Sequence, residues 1–273
     1  MNPLWPPLHL DAADIVRSSN SSFIPAFRLL PAGRRQDLET FYAFCRAADD
    51  IADAEGHAKA DRYAALEAWR TAFRDPELRG LPDNLRELIL RRRLDRGLFL
   101  ELLDGTATDL AAPVRMATRA DLDLYCHRVA GTVGQLCLPI FGADPQRAAA
   151  YAEILGRALQ YTNILRDTKS DLARRRIYYP LDELSAAGVS EFPKNAQSYL
   201  ASFAKKTESL FEEASKLSPS EDARALRPAR IMASIYQSLL RKMQRDELRV
   251  TEKRYRLSRP EKLLAIGRAI FSQ

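Results

Sequence analysis

The chain has 273 residues, 46% of them hydrophobic, and a formal net charge of +6. This length and apolar content are sufficient for a packed core, so a disordered chain is excluded. The three cysteines form no CxxC pair, which argues against a disulfide framework and a zinc site. The sequence has no run of about 18 apolar residues, so it predicts neither secretion nor a membrane span. No linker divides the sequence. We therefore expect one domain over residues 1–273 and a cytoplasmic location.

Apolar residues recur along the chain with the period of an α-helix, and no stretch shows sustained strand alternation. The predicted helices, separated by proline and glycine breaks, span about 10–18, 34–54, 58–74, 83–91, 97–104, 119–140, 145–172, 193–216, 221–247 and 259–271. Thr118, with Asp121 three residues later, predicts a capped start for the helix over 119–140. Cys45 and Cys137 are expected in the core. The sequence therefore predicts an all-α fold, a single helical bundle around a central cavity.

Two pairs of aspartates, Asp49/Asp53 and Asp167/Asp171, share one spacing and lie in predicted helices far apart in the chain. A step of four residues keeps both carboxylates of a pair on one helix face. They repel each other unless a cation lies between them, and Mg²⁺ prefers such oxygen ligands together with phosphate oxygens. We predict that the two faces enclose metal ions and a diphosphate. The alternative is two solvated acidic faces with ion pairs such as Arg46–Asp50.

Other polar residues extend these two stripes. Tyr42 and Arg46 precede the first pair at helical spacing, and Gln160 and Asn163 precede the second, with Arg166 alongside. Polar residues in mostly apolar helices are costly unless they bind something. Asn163 is therefore a candidate metal ligand, and Arg46 and Arg166 are candidates for charge-assisted bonds to the diphosphate.

Three longer stretches carry a family resemblance: RLLPAGRRQDLETFYAFCRAADDIAD, YCHRVAGTVGQL and LGRALQYTNILRDTKSDLARRRIYYP. In this order they resemble the signature blocks of the squalene/phytoene synthase family, and the resemblance extends from about Ser18 to about Leu263. It implies the isoprenoid synthase fold and a head-to-head joining of two prenyl diphosphates with Mg²⁺, for which Mn²⁺ is an alternative. No Gly-rich nucleotide loop accompanies the blocks, so no NADPH site is predicted.

The resemblance also implies roles for single residues. It implies that Tyr125 is a catalytic residue near the diphosphates and that Tyr236 is a cavity residue that binds them with Gln160. It implies a prenyl pocket bordered by Phe23, Tyr42, Val129, Ala130, Gly131 and Gly134. Small residues in mid-helix are also typical of close helix packing, and the two roles can coexist. Arg174 and Arg175 are within reach of the second aspartate pair or the diphosphates, and Arg254 resembles a late basic position.

Basic residues are dense near the C-terminus: Arg241, Lys242, Arg245, Arg249, Lys253, Arg254 and Arg256. A basic surface suits nucleic acid, an anionic membrane face or anionic substrates. Because no nucleic-acid-binding signature accompanies it, we expect no nucleic-acid partner, whereas an amphiphilic product favours peripheral membrane contact. A solvated basic face is the alternative, and the sequence indicates no particular oligomeric state.

The first functional hypothesis is a Mg²⁺-dependent prenyltransferase that joins two farnesyl diphosphates to presqualene diphosphate and releases diphosphate. Phytoene synthesis from geranylgeranyl diphosphate is the close alternative. A noncatalytic helical scaffold of the same fold is a third hypothesis, which the complete set of four aspartates disfavours. A head-to-tail elongase or a terpene cyclase ranks below these, because the AGTVG and NILRD blocks do not belong to those families. His127 is expected to be structural.

Overall fold

The structure is a computed structural model that describes residues 5–7, 9–18, 27, 30–54, 56–111 and 113–271, except for the side chains of residues 17, 18 and 271. The helices in chain order are α1 Ala12–Ser18, α2 Ala32–Asp53, α3 Lys59–Arg74, α4 Asp83–Arg92, α5 Arg96–Leu110, α6 Arg119–Cys126, α7 Thr132–Phe141, α8 Pro145–Ala173, α9 Leu181–Ala186, α10 Gln197–Leu217, α11 Arg227–Arg245 and α12 Arg259–Phe271. Two short strands, β1 Val114–Arg115 and β2 Arg176–Ile177, pair in parallel, with Val114 opposite Arg176. The all-α prediction is confirmed.

Local sequence explains where several helices begin and end. The predicted cap of α6 is present: Thr118 Oγ1 accepts from the Asp121 backbone N–H at 3.3 Å, and Asp121 Oδ2 accepts from the Thr118 N–H at 2.9 Å. Asp144 caps α8, and Pro145 occupies its first position. Gly142 ends α7 with a φ of 80°, which glycine adopts without steric cost.

The helix predicted over 119–140 is interrupted by one π-helical turn, His127–Gly131, between α6 and α7. Beside this turn, α5 continues past Gly105, where we expected a helix to end. A Cβ at Gly105 would lie 2.6 Å from Val129 Cγ1 and 2.8 Å from Arg128 Cβ, so the glycine permits the π turn to approach α5 closely. The short helix α9 was not predicted, and α11 begins six residues later than expected, at Arg227 rather than near 221.

Helix α8, which is 29 residues long, packs against the π turn, α7, α10 and α11. Its contacts bring the second aspartate pair into the middle of the molecule. An aromatic cluster of edge-on and stacked rings joins α2 to α3 and α5; it comprises Phe41, Phe44, Trp69, Phe73 and Phe99. This cluster fixes α2, which carries the first pair. In the described ranges, no helix has the length and apolar character needed to cross a membrane.

Candidate active site

The first aspartate motif lies in the last two turns of α2. Asp49 is exposed, yet burial among surrounding protein is the largest cause that raises its pKa to about 7, with a further increase from the charge of Asp109. A carboxylate that is exposed to solvent and yet has protein on most sides lies in a recess of the surface. Asp53 is paired with two arginines from beyond α8: its Oδ1 lies 2.9 Å from Arg174 Nη1 and 3.1 Å from Arg176 Nη1.

The second aspartate motif lies near the C-terminal end of α8. Asp167 Oδ1 accepts hydrogen bonds from Arg166 Nε at 3.0 Å and from Arg254 Nε at 2.6 Å. One turn later, burial raises the pKa of Asp171 to about 7, and the charges of Asp167 and Asp109 contribute to the increase. Both motifs are therefore paired with arginines, and each contains one aspartate that holds its proton more tightly than usual.

Asp109, on the last turn of α5, connects the two motifs. Its charge raises the pKa of both Asp49 and Asp171, so it lies near both. Tyr178 Oη donates to Asp109 Oδ1 at 2.6 Å, and Tyr125 Oη donates to Oδ2 at 3.1 Å. Burial raises the pKa of Asp109 itself, although these two hydrogen bonds oppose the increase. The two aspartate faces thus meet around a third carboxylate.

Tyr125 and Tyr178 form a stacked pair at this carboxylate, with ring centroids 5.0 Å apart and an interplanar angle of 22°. Tyr125, predicted to lie near the diphosphates, thus contacts a carboxylate that lies near both aspartate motifs, and its catalytic role stays a prediction. Sequence reasoning did not identify Asp109 or Arg176, because neither belongs to a repeated pattern. Arg174, expected near the second motif or the diphosphates, lies against Asp53 of the first motif, and its charge also opposes the increase in the pKa of Asp171 in the second, so it lies near both. The carbonyl of Arg175 accepts from Arg115 Nη1 at 2.7 Å, and a φ of 60° at Arg175 turns the chain there.

The polar residues that precede the second motif also face the site. Asn163 Nδ2 donates to Gln160 Oε1 at 3.2 Å, whereas Asn163 Oδ1 is buried and has no hydrogen-bond partner among the described residues. Tyr236 of α11 is buried beside them; burial raises its pKa, and Arg166 and Asn163, which hydrogen-bond its hydroxyl, oppose this increase. An acceptor without a partner is costly inside a protein, so Asn163 Oδ1 is available to a ligand.

Arg46 makes the ion pair that we considered as its alternative role: Arg46 Nη2 lies 2.5 Å from Asp50 Oδ1, and both side chains are half exposed. It also lies close enough to Asp49 for its charge to oppose the burial-driven increase in the Asp49 pKa. Arg46 is therefore at the edge of the recess. The diphosphate contact predicted for it requires the exposed pair with Asp50 to open.

An apolar surface continues from the first motif along the π turn and α7. Val129, Val133 and Cys137 are half-buried and recur at helical spacing, so they form one stripe. Burial raises the pKa of Cys45, and the charge of Asp49 and the neighbouring thiol of Cys137 contribute to this increase, which places the cysteines of α2 and α7 together beside Asp49. Both cysteines are partly buried and pack against the hydrophobic core, as expected, and they also lie beside the first motif.

The glycines predicted to border a prenyl pocket make close contacts with α8. A Cβ at Gly131 would lie 2.2 Å from Glu153 Oε2, and one at Gly134 would lie 2.7 Å from the Ala152 carbonyl oxygen. On the facing helix, a Cβ at Gly156 would lie 2.6 Å from the Ala130 carbonyl oxygen. Close packing against α8 therefore explains why glycine occupies positions 131 and 134 and why the Ala130 backbone lies against Gly156. A role in a pocket stays a prediction for Ala130 and both glycines.

Two aromatic residues complete the predicted pocket. Tyr42 is half-buried on α2, one turn before Arg46, and its ring packs edge-on against Phe27 at 5.7 Å. Phe23 lies outside the described residues. Tyr42 therefore lies on the stripe that leads to the first motif, as its spacing predicted.

The candidate ligand atoms of the site are carboxylate and amide oxygens, which are the donors that suit Mg²⁺ and Mn²⁺. The free Asn163 Oδ1 supports this fit. In the part of the chain that the structure describes, no three carboxylate, histidine or cysteine groups converge tightly enough to bind a metal by themselves. The oxygens of a bound diphosphate would complete such a site, as is common for Mg²⁺.

Residues 16–261, which contain all of these groups, match the sequence family described as squalene/phytoene synthase. The chain belongs to the squalene/phytoene synthase family. It is therefore an enzyme of the prenyltransferase class. Its family members include a presqualene diphosphate synthase from Zymomonas mobilis, 36% identical over 85% of this chain and 82% of that protein, and a phytoene synthase from Thermus thermophilus, 39% identical over 69% and 63%.

Solved structures confirm the isoprenoid synthase fold of this squalene/phytoene synthase family member. A dehydrosqualene synthase in complex with a ligand is similar at a TM-score of 0.82 and 26% identity, covering 95% of this chain and 94% of that one. A squalene synthase from Alicyclobacillus acidocaldarius is similar at a TM-score of 0.75 and 27% identity, covering 86% and 92%.

Proposed function

We propose that the enzyme joins two farnesyl diphosphates head to head, in a 1′-1 condensation that requires Mg²⁺, to give presqualene diphosphate and diphosphate. The observation that carries this proposal is the meeting of both aspartate motifs around Asp109, next to the apolar stripe of Val129, Val133 and Cys137. A diphosphate fits the charged part of such a site, and an isoprenoid chain fits the apolar part. Presqualene diphosphate synthases from Zymomonas mobilis and Sinorhizobium fredii also align with more than four fifths of this chain.

The reaction begins when the bond between C1 and the diphosphate oxygen breaks and the electron pair leaves with the diphosphate. Arg166, Arg174 and Arg254 lie where they can exchange aspartate oxygens for diphosphate oxygens, and bidentate arginine contacts suit this anion. Mg²⁺ held by Asp49, Asp53, Asn163, Asp167 and Asp171 would supply Lewis-acid stabilisation of the leaving group. The chain thereby offers positive charge where negative charge develops.

The allylic cation left behind must be kept from water. The half-buried stripe on the π turn and α7 provides an apolar wall beside the first motif. The cation then bonds to the double bond of the second substrate, and loss of one proton completes the product. The released diphosphate can accept that proton, so the proposal requires no separate protein base.

A product assay tests this proposal. The purified enzyme is incubated with farnesyl diphosphate, with geranylgeranyl diphosphate, and with both, in Mg²⁺ or in EDTA and with or without NADPH. We expect presqualene diphosphate from the C15 substrate in Mg²⁺, identified by mass analysis, with no product in EDTA and no change with NADPH. Phytoene formed faster from the C20 substrate would replace the proposal by its closest alternative, which the similarity to phytoene synthases supports.

The noncatalytic scaffold makes a different prediction in the same assay, namely no product from either substrate. The site argues against it, because all four motif aspartates and their arginine partners are present and converge. We also propose that residues 1–273 form one domain, since the two motifs belong to one site and are fixed by a continuous core from α2 to α11.

A further inference from the structure

The C-terminal helix α12 carries its largest apolar side chains on the outside of the molecule. Leu263 is 68% exposed and Leu264 64% exposed, whereas Ala265 is 1% exposed and faces α11. On a helical projection, Pro260 and Gly267 lie between the two leucines, so the outward face is a continuous apolar strip. A surface helix normally shows the opposite arrangement, with its apolar face inward. We call this strip of Pro260, Leu263, Leu264 and Gly267 the terminal apolar face.

Specific contacts fix α12 in this orientation. Ser234 Oγ of α11 donates to the Ala265 carbonyl oxygen at 2.7 Å, and Lys242 Nζ lies 2.8 Å from Glu261 Oε2. Glu261 Oε2 also accepts from the Ser258 backbone N–H at 2.6 Å, which starts the helix. These bonds tie the first turn and the middle of α12 to α11. The outward orientation of Leu263 and Leu264 is therefore fixed by contacts within the folded chain.

The border of the terminal apolar face is basic. Arg259 and Arg268, both exposed, lie at its two sides. Arg241 and Arg245 are exposed on the part of α11 next to the first turn of α12. None of these four side chains has an ion-pair partner among the described residues, and the acidic residue of α12, Glu261, is already paired with Lys242. The surface thus combines protruding leucines with unneutralised positive charge.

We propose that the terminal apolar face docks on the surface of an anionic lipid bilayer, with both leucines inserted among the acyl chains and the surrounding cations at the headgroups. Amphipathic helices with basic borders bind membranes by these two contributions together. A second copy of the chain fits less well, because a two-fold contact would bring arginines against arginines. Docking does not depend on the proposed reaction.

Vesicle binding tests the proposal with the full-length protein. Sedimentation is compared with vesicles of phosphatidylcholine alone and with vesicles containing about one third phosphatidylglycerol. We expect binding to the anionic vesicles that weakens with salt. The double variant Leu263→Ser/Leu264→Ser should bind at least about tenfold more weakly, because two inserted leucines are lost. Arg259→Gln/Arg268→Gln should lose about fivefold for each cation removed.

Leu90→Ser is the matched control, since Leu90 is an equally exposed leucine, at 65%, on α4. It should bind the anionic vesicles as the unmodified enzyme does. Because the altered leucines are exposed, all variants should keep their helical circular dichroism and their turnover on dispersed substrate. Equal binding by the Leu263→Ser/Leu264→Ser variant would overturn the proposal. So would a dimer, seen by sedimentation equilibrium without lipid, that this variant converts to monomers.

Discussion

Asp50 and Asp167 are chemically identical residues that lie in different surroundings. Asp50 is 53% exposed, and its ion-pair partner among the described residues is Arg46. Asp167 is 20% exposed, accepts from both Arg166 and Arg254, and interacts with Asp171. An exposed ion pair contributes little to stability or function, whereas a carboxylate among converging charges is typical of a functional site.

Replacing Asp167 by Asn should therefore lower kcat by at least about 100-fold, because the loss of one charged oxygen from the metal and diphosphate site removes several kcal/mol of transition-state stabilisation. Asp50→Asn is the matched control and should change kcat less than about threefold. Steady-state kinetics with farnesyl diphosphate measure both variants, and circular dichroism verifies their folding. Near-normal turnover by Asp167→Asn would remove this residue from the mechanism.

His127 shows a second kind of site, one that stabilises the fold. Its ring nitrogens lie 2.8 Å from Glu153 Oε2 and 2.9 Å from Glu101 Oε2. Partial burial lowers the pKa of His127, but the bonds and charges of the two glutamates more than offset this, so the pKa is raised above its ordinary value. A histidine whose pKa is higher in the folded state stabilises the protein when it is protonated.

The free energy of unfolding of His127→Gln should accordingly fall below that of the unmodified enzyme by about 1 kcal/mol at pH 5.5. This difference is fully present below the unfolded pKa of about 6.5 and is lost as the pH rises through the folded pKa. Urea unfolding at a series of pH values measures it. Glu153→Gln should weaken the same pH dependence. A difference that grows with rising pH would contradict the assigned ion pairs.

At the residue scale, the sequence predicted what local periodicity encodes. Asp49, Asp53, Asp167 and Asp171 were identified because spacing alone places each pair on one face. Asp109 stands alone in GTATDL, and its importance comes from tyrosines 16 and 69 residues away. Such a non-local meeting leaves no pattern in a single sequence. The same reason explains why the contact of Arg174 with Asp53 of the first motif was not predicted.

At the scale of elements, α8 can pack closely against α7 and the π turn because glycines at the contact have no side chain. An added Cβ at Gly134 of α7 would meet the Ala152 carbonyl of α8, and one at Gly156 of α8 would meet the Ala130 carbonyl of the π turn. The π turn that precedes α7 was not predicted, because five residues of π-helix hardly alter an apolar pattern of period 3.6. Helix existence could be read from the sequence, whereas this local change of winding depends on packing.

Gly156→Ala should lower the free energy of unfolding by about 1–3 kcal/mol, because the methyl group overpacks a contact with the Ala130 backbone that cannot yield locally. For a chain of this size the melting temperature should fall by roughly 3–10 °C. Gly33→Ala is the control, since a Cβ there meets nothing within 4 Å, and it should not lower the melting temperature. An unchanged melting temperature for Gly156→Ala would show that the two segments can separate at little cost.

The apolar stripe on α7 makes a separate prediction about chain length. Cys137 is half-buried near Cys45, on the stripe that we propose as the wall of the prenyl site, so we expect Cys137→Phe to fill space that a prenyl chain uses. We expect turnover on a C20 diphosphate to fall about tenfold more than turnover on a C15 diphosphate, with little change in melting temperature, since one lost apolar contact of this size is worth about 1–3 kcal/mol. Equal losses on both substrates would place the chain elsewhere.

At the scale of the whole molecule, ligand binding should be visible as stability. A non-reactive farnesyl diphosphate analogue with Mg²⁺, at 100 times its Kd, should add about 2.7 kcal/mol and raise the melting temperature by roughly 5–10 °C. Differential scanning fluorimetry measures the shift. EDTA, or Asp167→Asn in place of the unmodified enzyme, should remove most of it. A full shift in EDTA would mean that the arginines bind the analogue without a metal ion.

The arginine partners of Asp53 and Asp167 have one more consequence, which concerns the newly made chain. Small metalloproteins whose ligands carry uncompensated charge do not fold until the ion arrives. Here Arg174 and Arg176 pair with Asp53, and Arg254 pairs with Asp167, so these carboxylates have counterions without a metal ion. We therefore expect the polypeptide to reach its native packing before a metal ion binds. The yield of folded enzyme should thus be the same with and without added divalent ion, whereas under the proposed mechanism turnover begins only when the ion is supplied.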